Sequence, residues 1–298
     1  MINLNSLNKV FIYTYGGVGS MSLHETIKTV QKYSTKQKLR VKNKPHKGRV
    51  SYRVYKDIFT SENVVHTHIN NFLAQEIRQG PRPRPLCNHK NEKTLVISVA
   101  RNLFDRNTSH FFEQFKKTPL EAVNAAWYYN TSWHNNLPLQ GSWRQFENDA
   151  KECCIPLSVL EDDKALAEEH FSIFNKIQSK KLENWFDNLN SVLNMNVFDK
   201  PFDFEKKYSI HTAGNVTILT LRFEDIQYWQ SIFDKIFTPS PILKEKNKSS
   251  EKWYSDIYKQ FKKDYKYSKE NINIMSNINW MKFYYKKDEL NSIIKKYK

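Results

Sequence analysis

A mixed α/β fold with a central, mostly parallel sheet is what this sequence predicts, on three observations. Short runs rich in β-branched and aromatic residues alternate with helical patterns along the chain, an order that right-handed crossovers turn into parallel strands. The first run is broken at once by Gly16-Gly17-Val18-Gly19 and followed by hydroxyl residues suited to opening a helix. A chain of 298 residues, 39% of them hydrophobic, is also long enough for one large core or two modest ones.

In chain order, Val10-Phe11-Ile12-Tyr13-Thr14 reads as a buried strand, and Ser20 or Ser22 then caps a helix running towards Tyr33. Val64-Val65-His66 is a second short strand, and Thr94 to Ala100 a third. The third leads into a helix carrying Phe111, Phe112 and Phe115 on one side. Residues 157–193 are helical by pattern, with Leu160, Leu166, Phe171 and Phe174 as inward candidates. Val216 to Leu221 is a fourth strand, bounded by Gly214-Asn215 and followed by a helix around Gln227 to Phe237. Gly80-Pro81-Arg82-Pro83-Arg84-Pro85 is a rigid loop, because each proline excludes helix for itself and its predecessor. Pro239-Ser240-Pro241 separates the sheet domain from the basic tail, and no internal repeat is visible. The expected organisation is one domain over 1–298, with 244–298 a basic helical C-terminal extension.

Charge narrows the partners. The net charge is +16, and residues 28–56 hold eleven Lys or Arg and no acid. Residues 244–298 hold fifteen Lys against seven Asp or Glu, an excess of eight. Such fields attract anions: nucleotides, acidic glycans, nucleic acid or an anionic membrane surface. A solvated, Lys-rich surface is the plainer alternative. Mean hydropathy is −0.71, and no apolar run approaches the roughly 20 residues of a membrane helix. Peripheral membrane contact stays compatible with the basic face. Met1 to Lys9 lacks a signal-peptide pattern, and Cys87, Cys153 and Cys154 form neither a disulfide framework nor a metal-ligand spacing. A cytoplasmic protein without a metal is expected.

Two segments carry chemistry. The first is Gly16-Gly17-Val18-Gly19-Ser20-Met21-Ser22, between a strand and a helix. Glycines allow tight turning, so that several N–H groups converge on one anion at the positive end of the helix. Ser20 and Ser22 add hydroxyl donors. The spacing is neither Gly-x-x-x-x-Gly-Lys-Ser/Thr nor Gly-x-Gly-x-x-Gly, and many glycine loops merely turn the chain. The second segment starts at Arg101, directly after a strand, and reaches Ser109 early in the next helix. Open α/β sheets bind ligands at such strand ends, and an arginine there grips phosphate through parallel N–H bonds. The alternative pairs Arg101 with a neighbouring carboxylate and leaves Ser109 a back-bonded helix residue.

Taken in order, the two segments resemble the nucleotide-binding signature of sulfotransferases. His66-Thr67-His68-Ile69 between them is similar to that family's Lys-Thr-His-Leu, and Leu221-Arg222-Phe223-Glu224-Asp225 to its Arg-Tyr-Glu-Asp. Glu251-Lys252-Trp253-Tyr254-Ser255 resembles the Asn-Lys-Trp-Tyr-Ser hallmark of a bacterial branch assigned to capsular polysaccharide synthesis. Residues 197–203 and Phe283-Tyr284-Tyr285 resemble segments of the same branch. The resemblance implies a three-layer P-loop-like fold and an adenine nucleotide donor, 3′-phosphoadenylyl sulfate (PAPS). In it the Gly16 to Ser22 loop holds the 5′-phosphosulfate, and Arg101 with Ser109 holds the 3′-phosphate. It implies His68 as general base, with His66 second, and a hydroxyl of a saccharide or cell-surface glycan, an acidic one among the candidates, as acceptor. Arg222 and Lys252 are then candidates to meet an acidic acceptor. Two positions depart from the pattern: Gly17 stands where the family carries a loop Lys or Arg, and Met21 replaces a small hydroxyl residue.

The competing functions are a kinase-like phosphotransferase, with Asp225 the nearest metal-binding carboxylate, and a relative that binds nucleotide without turnover. A nucleic-acid-binding protein would need a module signature that is absent here.

Overall fold

The computed structural model describes residues 1–30, 59–61, 64–67, 93–114, 164–246 and 251–298. Its centre is a six-stranded sheet built from β2 (Lys9–Tyr13), β3 (Phe59–Ser61), β4 (Val64–Thr67), β5 (Thr94–Ala100), β6 (Tyr208–Ala213) and β7 (Val216–Arg222), in the order β3-β4-β2-β5-β7-β6. The four inner strands run parallel, with Tyr13 opposite Thr67, Ile12 opposite Ile97 and Ala100 opposite Arg222. The two flanking strands are antiparallel. A parallel strand covered on both faces must be apolar throughout, and every residue of β5 is buried. The short strands β1 (Ile2–Asn3) and β8 (Phe237–Thr238) pair in parallel, tying the first residues to the segment after β7.

The helices among the described residues are α1 (Ser20–Lys28), α2 (Leu103–Gln114), α3 (Lys164–Leu182), α4 (Trp185–Leu193), α5 (Trp229–Ile236), α6 (Ser255–Asp264), α7 (Lys269–Asn277), α8 (Asn279–Tyr284) and α9 (Lys287–Tyr297). A 3-10 stretch over Phe223–Tyr228 links β7 to α5, where a continuous helix from Gln227 was expected. The expected strand residue Thr14 lies just past the end of β2, and β6 makes a hairpin with β7 that the sequence pattern does not predict. Phe171 is fully buried and Phe174 packs against the core. Phe115 and Leu160, the Gly80–Pro85 loop and the cysteines lie outside the described residues, as does the side chain of Leu166.

Neither Ser20 nor Ser22 caps α1. Gly19 takes the cap position in the left-handed conformation, at φ 74°, which makes Ser20 the first helical residue. The helix ends at Lys28, short of Tyr33. Among the described residues no helix is long and apolar enough to cross a membrane.

Helices α6 to α9 enter the same core as the sheet. Phe112 of α2 meets Tyr254, Tyr258 and Phe261, and Phe104 stacks on Tyr297 with ring centroids 5.5 Å apart. Trp280 donates its indole N–H to the Leu182 carbonyl at 2.7 Å. Most lysines of this segment stay exposed while most of its rings go in, as the amphipathic pattern of each helix requires; Lys262, partly buried on Asp105, and the exposed Trp253 are exceptions.

Candidate functional site

Parallel pairing brings the carboxyl ends of β4, β2, β5 and β7 to one edge of the sheet. The glycine loop leaves β2 there, Arg101 follows β5, and Phe223-Glu224 follows β7. Since β2 and β5 are neighbours, the loop and Arg101 meet directly.

The loop has positive φ at Gly16 (76°), Gly17 (64°) and Gly19 (74°), a region closed to most side chains. Its carbonyls are held by two arginines. Arg101 donates through Nη1 to the Gly17 carbonyl. Arg106, from α2, donates through Nη2 to the Tyr15 carbonyl at 2.7 Å and through Nε to the Gly16 carbonyl at 3.5 Å. In a trans peptide the N–H points opposite to the preceding carbonyl. The N–H groups of Gly16, Gly17 and Val18 therefore point away from the guanidiniums, and among the described residues none of them has an acceptor. The start of α1 adds further N–H groups without a side-chain cap. The result is a cradle of donors.

Both arginines are buried, at 9% and 2% exposure. Neither has a carboxylate in salt-bridge contact among the described residues. Glu113 and Glu224 influence them only through space. Burial lowers the Arg106 guanidinium to about 10, still charged at neutral pH. Arg101 lies over the Phe223 ring at 4.3 Å, and its Nε is buried with no hydrogen-bond partner.

Neighbouring side chains fix these groups in place. The Tyr15 hydroxyl accepts from the Arg101 N–H at 2.6 Å and donates to the Arg101 carbonyl at 3.1 Å. Asn102 caps α2 by accepting from the Asp105 N–H at 2.9 Å. Glu224 Oε1 accepts from the Asn102 N–H at 2.9 Å and from Asn102 Nδ2 at 2.7 Å, and Oε2 accepts from the Tyr285 hydroxyl at 2.7 Å. Burial pushes the Glu224 carboxyl up, against the lowering effect of those donors. Asp105 receives Lys262 and, at 2.5 Å, the Tyr297 hydroxyl.

The other candidates from the sequence are scattered more widely. Val18 is fully buried, Ser20 is buried in the first turn of α1, and Met21 is partly buried. Ser22 is buried, and its hydroxyl accepts from the Lys246 N–H at 2.9 Å. Ser109 is partly buried about two turns into α2. His66 lies in β4 opposite Ile12. His68, which follows β4 directly, lies outside the described residues. Arg222 does not reach out for an acceptor: it is 6% exposed and bound to Asp225 (2.7 Å), Glu289 (2.7 Å) and the Tyr284 carbonyl (3.0 Å). Asp225 is taken by Arg222 and by Lys207 at 3.3 Å. Sequence reasoning missed the roles of Tyr15, Asn102 and Arg106. Of these only Arg106 reaches the loop with its side chain, while Asn102 bonds Asp105 and Glu224.

No family model, no curated protein and no solved structure matches this chain, so its site is read from its own residues.

Proposed function

We propose that the glycine loop and Arg101 hold the two anionic groups of an adenine nucleotide. On this reading the chain is a sulfotransferase of three-layer P-loop-like fold, using PAPS to sulfate a hydroxyl of a saccharide or cell-surface glycan. The observation that carries it is that two buried guanidiniums, without a carboxylate in contact among the described residues, hold the carbonyl side of the loop and leave its unpaired N–H groups on the opposite side. Buried charge needs a counter-charge, and an anion supplies it. The partnerless Nε of Arg101 fits a phosphate oxygen. The order of motifs along the sequence supports the choice of this donor.

PAPS supplies an activated sulfuryl group. The residues of the chain bind and orient it: Gly16 to Ser20 through N–H donors, Arg101 with Ser109 at the second anion. A base then takes the proton from the acceptor hydroxyl as its oxygen bonds to sulfur and the bond from sulfur to the 5′-phosphate oxygen breaks, releasing adenosine 3′,5′-bisphosphate; His68, next after β4, is assigned the role of base, with His66 the alternative. A second reading, nucleotide binding without turnover, draws on Gly17, where the loop offers no cation of its own. The kinase reading loses its metal-binding carboxylate, because Asp225 is engaged by Arg222 and Lys207.

Calorimetry with adenosine 3′,5′-bisphosphate, Mg-ATP and a random oligonucleotide tests the site, and transfer of radiolabelled sulfate from PAPS to a glycan panel tests the chemistry. The bisphosphate should bind tightest and transfer should be lost in His68→Ala. Preference for Mg-ATP or the oligonucleotide would sink the reading. Binding without transfer would select the non-catalytic one.

A further inference from the structure

We propose that Arg106 is a positioning residue that supplies, from behind the loop, the positive charge missing at position 17. This rests on the reading of the loop as an anion site.

Arg106 is built in rather than merely nearby. Among the described residues its guanidinium hydrogen-bonds only to neutral groups: the carbonyls of Tyr15 and Gly16, Asn107 Oδ1 at 2.9 Å and Gln178 Oε1 at 3.1 Å. Asn107 is itself held. Its Nδ2 donates to Asn175 Oδ1 at 2.8 Å and to Ser179 Oγ at 3.2 Å, so α3 is clamped to α2 behind the arginine. A surface arginine would be solvated and screened; this one is neither. Its charge is felt along the peptides it holds, and the N–H ends of those peptides face the cradle. Arg106 thus acts through Tyr15 and Gly16 without needing to touch the anion.

The same geometry accounts for glycine at 17. A Cβ there would lie 3.9 Å from both Arg106 Cγ and the Arg106 carbonyl oxygen, on a residue with φ +64°. These are ordinary contacts, so it is the left-handed backbone, not a lack of space, that favours glycine over lysine at this position. The positive charge sits on the helix behind the loop, which leaves the loop residue free to be glycine.

The test uses the full-length protein with pyrophosphate, adenosine 3′,5′-bisphosphate and neutral adenosine as probes. Arg106→Met should weaken both anions about 30-fold or more while adenosine changes less than about threefold, and Arg106→Lys should retain anion affinity within about fivefold. Equal anion affinity in wild type and Arg106→Met overturns the assignment, as does an equal loss for adenosine, which would mark a purely structural residue. If Arg106→Met does not fold, Arg106→Lys decides: a loss beyond about tenfold for pyrophosphate overturns the charge role. If wild type binds neither anion, the anion-site reading itself fails, and the Arg106 role with it.

Discussion

The hydroxyl of Tyr15 and the backbone of Arg101 form a closed pair: the hydroxyl accepts from the Arg101 N–H and donates to the Arg101 carbonyl. One side chain from the start of the glycine loop therefore fixes the peptides on both sides of the gripping arginine. Burial raises the Tyr15 phenol far above its usual range, so it stays a neutral donor and acceptor throughout. Tyr15→Phe leaves two buried backbone groups without a partner and should cost about 1–3 kcal/mol of stability. Urea melts read the stability, and calorimetry should show weaker bisphosphate binding in the folded variant. Unchanged stability would show that the hydroxyl is dispensable.

Arg101→Ala should weaken adenosine 3′,5′-bisphosphate by about 2–3 kcal/mol, the worth of a charge-assisted bidentate contact. Adenosine 5′-phosphate, which lacks the second anion, should lose much less. Parallel titrations of the two ligands separate binding from structure. Equal losses would assign Arg101 to holding the Gly17 carbonyl only.

The three loop glycines should not respond alike. Each has φ in the left-handed region, so alanine costs about 1–2 kcal/mol at any of them. At Gly16 a Cβ meets nothing within 4 Å, whereas at Gly19 it meets Phe223 Cε2 at 3.1 Å and Trp229 Cη2 at 3.4 Å. Gly19→Ala should therefore be clearly the more destabilising of the two by thermal melt. Similar melting temperatures would mean that Phe223 yields freely.

Asp105 makes stability sensitive to acid. Burial by itself would raise its carboxyl, but the charge of Lys262 and hydrogen bonds from Lys262, Tyr297 and Asn102 hold it well below the usual carboxylate range. A carboxyl depressed in the folded state contributes fully above its unfolded value, near 4, and loses that contribution as pH falls through the folded value. Asp105→Asn should cost about 1–3 kcal/mol at pH 7. The gap to wild type should shrink below about pH 4. A gap that stays constant down to about pH 3 would mean the pair contributes nothing through its charge.

Much of the fold was legible because its central strands are apolar on both faces. Thr94 to Ala100 is bounded in the structure as its composition predicts, since only a run covered on both sides can be continuous in Val, Ile and Leu. The edge strand β6 was not, because Tyr-Ser-Ile-His-Thr-Ala carries polar residues that make sense only once Ser209 meets Thr220 at 2.6 Å across the hairpin. The loop and Arg101 were visible as local patterns after strands. Arg106 was not, because its meaning lies in what it lacks, and no sequence shows the absence of a carboxylate in space. In 244–298 the roughly helical spacing of Trp253-Tyr254 and Tyr258 favours rings that seat the segment on the core; Tyr254 and Tyr258 are buried with Phe261 and Tyr267 against α2 and α3, while Trp253 is exposed.

That burial has a consequence for biosynthesis. Phe104 is covered by Tyr267 and Tyr297, and Phe112 by Tyr254, Tyr258 and Phe261. The ribosome makes α2 long before it makes those rings. From Phe104 to Tyr297 is a wait of about 10–40 s at ordinary translation rates of roughly 5–20 residues per second. Phe111 finds Phe171 and Phe174 earlier, but until the last helices emerge Phe104 and Phe112 lack these covering rings, which makes them a holding point for a chaperone. Ribosomes stalled before residue 254 should carry chains that stay chaperone-bound, and release should come only with the last helices.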